Sequence, residues 1–204
     1  MQDQTDARRL LDRNDRILDA GALRALAHPL RVQIYDILSQ YGPQTASSLA
    51  SLTGESSGAT SYHLRALAKH DLIREVDGRG TARERWWERP VGGVSFANPE
   101  AMKTPSGRAA TQVVMTEFLN RRHQQLMQYA ARGLQSEPED WQDGSLISTA
   151  NARLTSAQMQ ELAEKLQALL DETVGKYRDQ RGEGVRPVTM HVDVFPLPEE
   201  GAHR

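Results

Sequence analysis

Apolar positions recur at helical spacing through the first half of the chain, then give way to short alternating runs. Leu30, Ile34, Ile37 and Leu38 mark one buried face of a helix. Pro29 suits its first turn, where a missing N–H costs nothing, and Gly42-Pro43 ends it. Residues 22–27 form a short helix ahead of it. Thr45 can N-cap a third helix, whose Leu49 and Leu52 point inward and which Gly54 closes. Ser56 or Ser57 caps a fourth helix, with Thr60, Leu64 and Leu67 on its inner face. Leu72-Ile73 begin a strand. Asp77-Gly78-Arg79-Gly80 reads as a hairpin turn, because glycine permits positive φ, and an outgoing strand carries Trp86-Trp87.

The second half is less regular. A Gly- and Pro-rich stretch breaks the pattern and reads as a linker. A long helix over 106–134 follows, with Leu119, His123, Leu126 and Ala130 on one side and Val114 and Phe118 adjoining. Residues 136–144 are acidic and loop-like, and 146–154 read as a strand. Thr155-Ser156-Ala157-Gln158 has the form of a capping box. The helix it opens places Met159, Leu162, Leu166, Leu169 and Val174 along one side. After Gly182-Glu183-Gly184, the residues Val188, Met190, Val192 and Val194 alternate with Thr189, His191 and Asp193, which predicts a half-buried strand. At the other end, Leu10, Leu11, Ile17 and Leu18 form a narrow apolar stripe in a highly charged helical arm. The organisation expected is an arm at 1–19, a domain of short helices and a hairpin at 20–90, a linker at 91–105 and a C-terminal region at 106–204. The fold class is mainly α with small β (α+β).

Composition narrows the partners. With 204 residues, 38% of them hydrophobic, and a mean hydropathy of −0.61, the chain suits a surface-heavy, helix-rich protein. No apolar run approaches the roughly 20 residues of a spanning helix, so no membrane partner is expected. The first residues lack an apolar signal core. There is no cysteine, which excludes disulfides and thiolate metal sites and fits a reducing cytoplasm. The net charge of −2 argues against a nucleic-acid partner, but charge is read locally. Beyond a Debye length of about 8 Å it is mostly screened. Residues 56–70 carry Arg65 and Lys69 with His63 and His70 and no acid, and the hairpin region carries Arg79, Arg83, Arg85 and Arg89. The acids gather at 137–143 and at Glu199-Glu200.

A short helix, a tight turn, a second helix opening on small polar residues and an arginine-bearing hairpin are the parts of a winged-helix DNA reader. Residues 22–90 moreover resemble the ArsR/SmtB-type winged helix-turn-helix repressors of bacteria. The likeness is carried by Ala25-Leu26-Ala27-His28-Pro29-Leu30-Arg31-Val32-Gln33-Ile34, by Ser61-Tyr62-His63-Leu64-Arg65-Ala66-Leu67, by Asp71-Leu72-Ile73 and by Gly78-Arg79-Gly80, over about a third of the chain. The resemblance implies a cytoplasmic homodimer that binds an imperfect palindrome of double-stranded DNA and represses transcription. It also implies dimerisation through the long helix that begins near Ser106. The metal-sensing members use cysteines or His and carboxylate sets, and this chain offers only His123 beside Arg121 and Arg122, so no metal is expected.

Aligned on the Ser-x-His-Leu pattern, the resemblance puts Ser57, Gly58, Ser61 and Tyr62 on the base-facing surface. Arg65 lies one turn after Ser61 and suits a phosphate or a guanine. In an extended strand Arg83, Arg85, Trp87 and Arg89 share one face. Together with Arg79 they suit the DNA backbone, or else an edge strand that charge protects from pairing. The tryptophans suit packing. His28 and His63 read as structural, and His191 as exposed or lining a pocket. No phosphate loop, nucleophile elbow or metal-ligand motif is present, so neither an enzyme nor a cofactor is expected. Two other readings stand beside the regulator. One is a ligand sensor whose C-terminal region binds a small-molecule effector near Trp141 or His191. The other is a winged helix used for protein–protein contact.

Overall fold

Capping side chains set the helix boundaries of the N-terminal half. Asp19 caps α1 (Ala20–Leu26), its carboxylate accepting from the Ala22 N–H at 2.8 Å. That hydrogen bond holds the Asp19 carboxyl below the usual carboxylate range. His28 caps α2 (Pro29–Tyr41) by accepting from the Leu30 N–H, with Pro29 in the first turn and Gly42 ending the helix. Thr45, the second residue of β2 (Gln44–Thr45), caps α3 (Ala46–Thr53) in a reciprocal box with Ser48, and Gly54 closes it in the left-handed conformation. Of the two serines, Ser56 caps α4 (Ser57–Ala68), accepting from the Ala59 N–H at 3.2 Å.

The computed structural model describes residues 16–81, 84–96 and 98–198. Two small sheets occur among them, so the fold is α+β, mainly helical. β3 (Arg74–Thr81) and β4 (Glu84–Glu88) pair antiparallel, and β2 joins the other edge of β4 through Gln44↔Trp87 and Thr45↔Trp86. The hairpin reverses between Thr81 and Glu84, which corrects the turn expected at Asp77–Gly80. The Glu75↔Trp87 pair is followed by Gly80↔Arg85, so residues 76–79 stand opposite Trp86 alone. The two glycines serve an irregularity inside the strand, a use of positive φ that a sequence does not distinguish from a turn.

Arg16 and Ile17 form β1 (Arg16–Ile17), which pairs parallel with β5 (Val94–Ser95). These two residues are therefore extended rather than part of a helical arm, Leu18 and Asp19 lead into α1, and residues 1–15 of the expected arm lie outside the described residues. The stretch 91–105, read as a linker, holds β5 and the short helix α5 (Pro99–Met102), and leads into α6 (Pro105–Gln128). α6 meets the core through Gly107, Ala110 and Val114, whereas Leu119 and Leu126 are exposed. Further along, Arg121 pairs with Asp36 of α2 at 2.9 Å, both largely shielded from water. Val32, Ile34, Leu49, Leu64, Leu67, Leu72 and Ile73 fill the centre of this half.

The chain divides into two compact units between Ala130 and Ala131. The second holds α7 (Leu134–Ser136), α8 (Glu139–Asp143) and α9 (Ser156–Tyr177), the last opened by the Thr155–Gln158 capping box. Neither α8 nor α9 buries a residue. The strands expected at 146–154 and 188–194 are not formed. Alternation makes a strand only where a neighbour takes its backbone hydrogen bonds and a layer covers its apolar side. Val188 keeps 65% of its surface exposed. Arg186 forks onto the Glu137 carboxylate at 2.6 and 3.1 Å and lies over the Trp141 ring. No helix among the described residues is long and apolar enough to cross a membrane.

Candidate nucleic-acid interface

α4 divides its residues by face. Thr60, Leu64 and Leu67 point inward and are completely buried. The Thr60 hydroxyl donates to the Ala46 carbonyl at 2.8 Å, which ties α4 to the start of α3. Ser57, Ser61 and Arg65 follow one another at four-residue steps along one flank, and Gly58 and Tyr62 do so on the opposite side. Ser57, Gly58, Tyr62 and Arg65 are exposed and Ser61 is half-buried. Because Ser56 does the capping, the Ser57 hydroxyl is left for other partners.

Between this face and β4 lies an open cleft of about 380 Å³, lined by Thr45, Ala46, Ser47, Ser61, Arg65, Glu84, Arg85 and Trp87. The fold thus brings together Ser61 and Arg65 from the helix and Arg85 from the hairpin. Among the described residues the Arg65 guanidinium has no ion-pair or hydrogen-bond partner. Arg85 pairs with Glu75 at 3.4 Å in a solvent-facing contact, the kind that contributes only about 0–1 kcal/mol and exchanges readily. Arg79 stands apart from the cleft, its guanidinium 3.6 Å above the Trp86 ring. Arg83 lies outside the described residues. Arg89 falls beyond the end of β4, donating to the Ser39 hydroxyl and the Gly92 carbonyl. It is structural rather than part of a basic strand face. Trp87 is buried in the core, as packing requires.

Sequence reasoning did not find Thr45, Ala46 and Ser47 as cleft residues. The signal was the N-terminus of α3, whose position beside β4 follows only from the β2–β4 pairing. It also missed a polar knot behind α4. Arg31 donates from Nε to His63 Nδ1 at 3.2 Å and from its terminal nitrogen to the Ala25 carbonyl, while the His28 and His63 rings sit 4.6 Å apart. Burial pushes the His63 imidazole below the ordinary histidine range, and His28 and Arg31 push the same way against a smaller opposing effect of Glu55.

The unfolded chain therefore binds a proton at His63 more readily than the folded one. Folding stability is expected to rise with pH through the window below about 6.5 and to level off above it. Urea unfolding of wild type and His63→Gln near pH 5.5 and 7.5 checks this, with the variant losing part of the difference between the two conditions. An undiminished difference refutes the assignment to His63.

The family described as Helix-turn-helix domain matches residues 26–76 of the chain. No curated protein matches it. Among solved structures, the adhesin competence repressor AdcR from Streptococcus pyogenes is 17% identical, covering 71% of this chain and 80% of that one, with a TM-score of 0.32. A MepR-like protein complexed with pseudoligands is 16% identical over 75% and 83% of the two chains, with a TM-score of 0.30. RV1404 from Mycobacterium tuberculosis is 18% identical over 85% and 90%, also with a TM-score of 0.30. The family match spans α2, α3, α4 and the start of β3, and with the β3–β4 hairpin behind it this half of the chain is a winged helix-turn-helix domain.

Proposed function

We propose that this protein is a sequence-specific DNA-binding transcriptional regulator, a homodimeric repressor of the ArsR/SmtB type acting on an imperfect palindrome in the cytoplasm without a metal or cofactor. The observation that carries the reading is the cleft between α4 and β4. A guanidinium with no partner among the described residues, Arg65, stands there beside Ser61, facing a second guanidinium that only a screened carboxylate holds. A phosphate of the DNA backbone satisfies both cations. The first turn of α4 then enters the major groove, where Ser57 and Gly58 permit close approach and Ser61 and Tyr62 reach base edges. Arg79, Arg83 and Arg85 belong to the wing that follows the backbone. Residues 106–204 supply the dimer contact, a role that the exposed Met115, Leu119 and Leu126 of α6 support. Two recognition helices then lie about 34 Å apart, one turn of DNA.

Fluorescence anisotropy against the upstream intergenic duplex and a scrambled duplex, across a salt series, tests the reading. Preference for the native duplex of roughly 10³-fold is expected. Arg65→Ala is expected to weaken both complexes by roughly tenfold, about 1.4 kcal/mol, and to reduce the salt slope by about 0.9. Equal weak binding to the two duplexes overturns the function. Unaltered affinity and slope in the variant overturn the docking surface.

A further inference from the structure

The joint between α4 and β3 is held from outside. After Lys69 the chain turns through His70 and Asp71, and Leu72 and Ile73 plunge into the core. The amides of the joint fold back on the helix end, His70 to the Leu67 carbonyl and Asp71 to the Ala68 carbonyl. Its outward carbonyls are taken by one side chain. The Arg16 guanidinium donates to the His70 carbonyl at 2.8 Å and to the Asp71 carbonyl. Asp71 has a φ of 52°, the one positive value on a residue other than glycine among those described. That residue closes the helix: the Asp71 N–H donates to the Ala68 carbonyl and the Leu72 N–H to the Leu67 carbonyl, the paired closure that sets a left-handed residue just after a helix.

Arg16 is itself fixed. Its backbone N–H donates to the Gly93 carbonyl at 3.0 Å, and the next turn of the ladder runs from the Leu18 N–H to the Ser95 carbonyl at 3.1 Å. Leu18 is completely buried, and its carbonyl accepts from the Asn98 side chain at 2.8 Å. The guanidinium therefore reaches the joint from a rigid post made of β1, β5 and the cap of α5. It lies at the C-terminal end of α4, about 17 Å along the axis from Ser57, and lines no part of the cleft.

We propose that Arg16 is a positioning residue for DNA recognition. It braces the angle between α4 and the β3–β4 hairpin, and so the width of the cleft between them. This rests on the DNA-binding function argued above. One planar fork spans two successive carbonyls, a geometry that a lysine ammonium does not reproduce. Losing the brace loosens the register between helix and wing without removing any charge from the DNA-facing surface. Sequence discrimination suffers, while the salt-driven attraction stays.

The test uses the full chain with Arg16→Gln and Arg16→Lys, each measured by anisotropy on the native and scrambled duplexes across the salt series and by thermal melting. In both variants the native-over-scramble ratio, roughly 10³ for wild type, is expected to fall about tenfold, with wild-type salt slope and wild-type affinity for the scramble. Amide hydrogen exchange is expected to quicken at 69–75 and not in the core helices, a readout that stands even where a variant melts early. A ratio that survives in both variants overturns the brace. A salt slope reduced by about one makes Arg16 a phosphate ligand and overturns it too. Wild-type protein that shows no discrimination overturns the DNA-binding reading itself, and this proposal with it.

Discussion

Truncating Leu64 to alanine is expected to cost about 2–5 kcal/mol of folding stability and to leave the salt dependence of DNA binding as it is in the wild type. α4 is seated in the core of the domain by a short row of inward side chains. Three residues on it, Thr60, Leu64 and Leu67, are fully buried, and Leu64 is the middle one. Thr60 is fixed by its hydrogen bond to the Ala46 carbonyl, and the neighbouring helices are pinned by their own caps, so the hole left by the leucine closes only in part. A residual cavity adds to the lost transfer energy. Against a total of about 5–15 kcal/mol for a small domain, this is a large share. Ser57, Ser61 and Arg65 lie on a separate flank of the helix and keep their places as long as the domain is folded. Arg65→Ala should do the reverse, changing the salt slope with a stability effect within about 0.5 kcal/mol. Urea unfolding and anisotropy on both variants check the pair. A Leu64→Ala loss below about 1 kcal/mol, or a slope that moves with it, contradicts this division of faces.

That division was legible in the sequence because it is local. Thr60, Leu64 and Leu67 recur at helical spacing, and caps such as Thr45 and Thr155 sit within three residues of the amides they satisfy. Relations between distant residues were not legible. Arg16 and Asp71 are 55 positions apart, and nothing in a charged N-terminal stretch signals that one of its arginines closes a joint in the recognition motif. The partner of Arg85 is likewise invisible until β3 and β4 are paired. On α6 the side carrying Leu119 and Leu126 stays exposed, whereas Gly107, Ala110 and Val114 meet the core, since close helix packing favours small residues as much as apolar ones. In the C-terminal unit the alternation at 188–194 is real as a pattern, but it lacks a paired neighbour, and a strand is a property of two segments rather than one.

The wing offers the second large effect, through Gly80. This residue has a φ of 103°, and a Cβ built on it falls 2.1 Å from the Glu84 carbonyl oxygen and 3.0 Å from Trp86 Cδ1. The first of these is backbone directly across the hairpin and cannot rotate away. Gly80→Ala is therefore expected to break the Gly80↔Arg85 and Thr81↔Glu84 pairs and open the hairpin end. The other end stays anchored by the β2–β4 pairing and by buried Trp87. Trp86 then loses the Arg79 guanidinium stacked on it, and its fluorescence should shift to the red. Arg85, displaced from the cleft, should take roughly a tenfold loss of DNA affinity with it, about 1.4 kcal/mol. Gly78→Ala is the matched control. Its φ of 69° is also positive, but nothing lies within 4 Å of the added carbon, so only the conformational cost of about 1–2 kcal/mol applies and the hairpin should remain paired. Equal losses of affinity and equal fluorescence shifts in the two variants contradict the steric argument. A red-shifted spectrum together with wild-type DNA affinity in Gly80→Ala removes the wing from the interface.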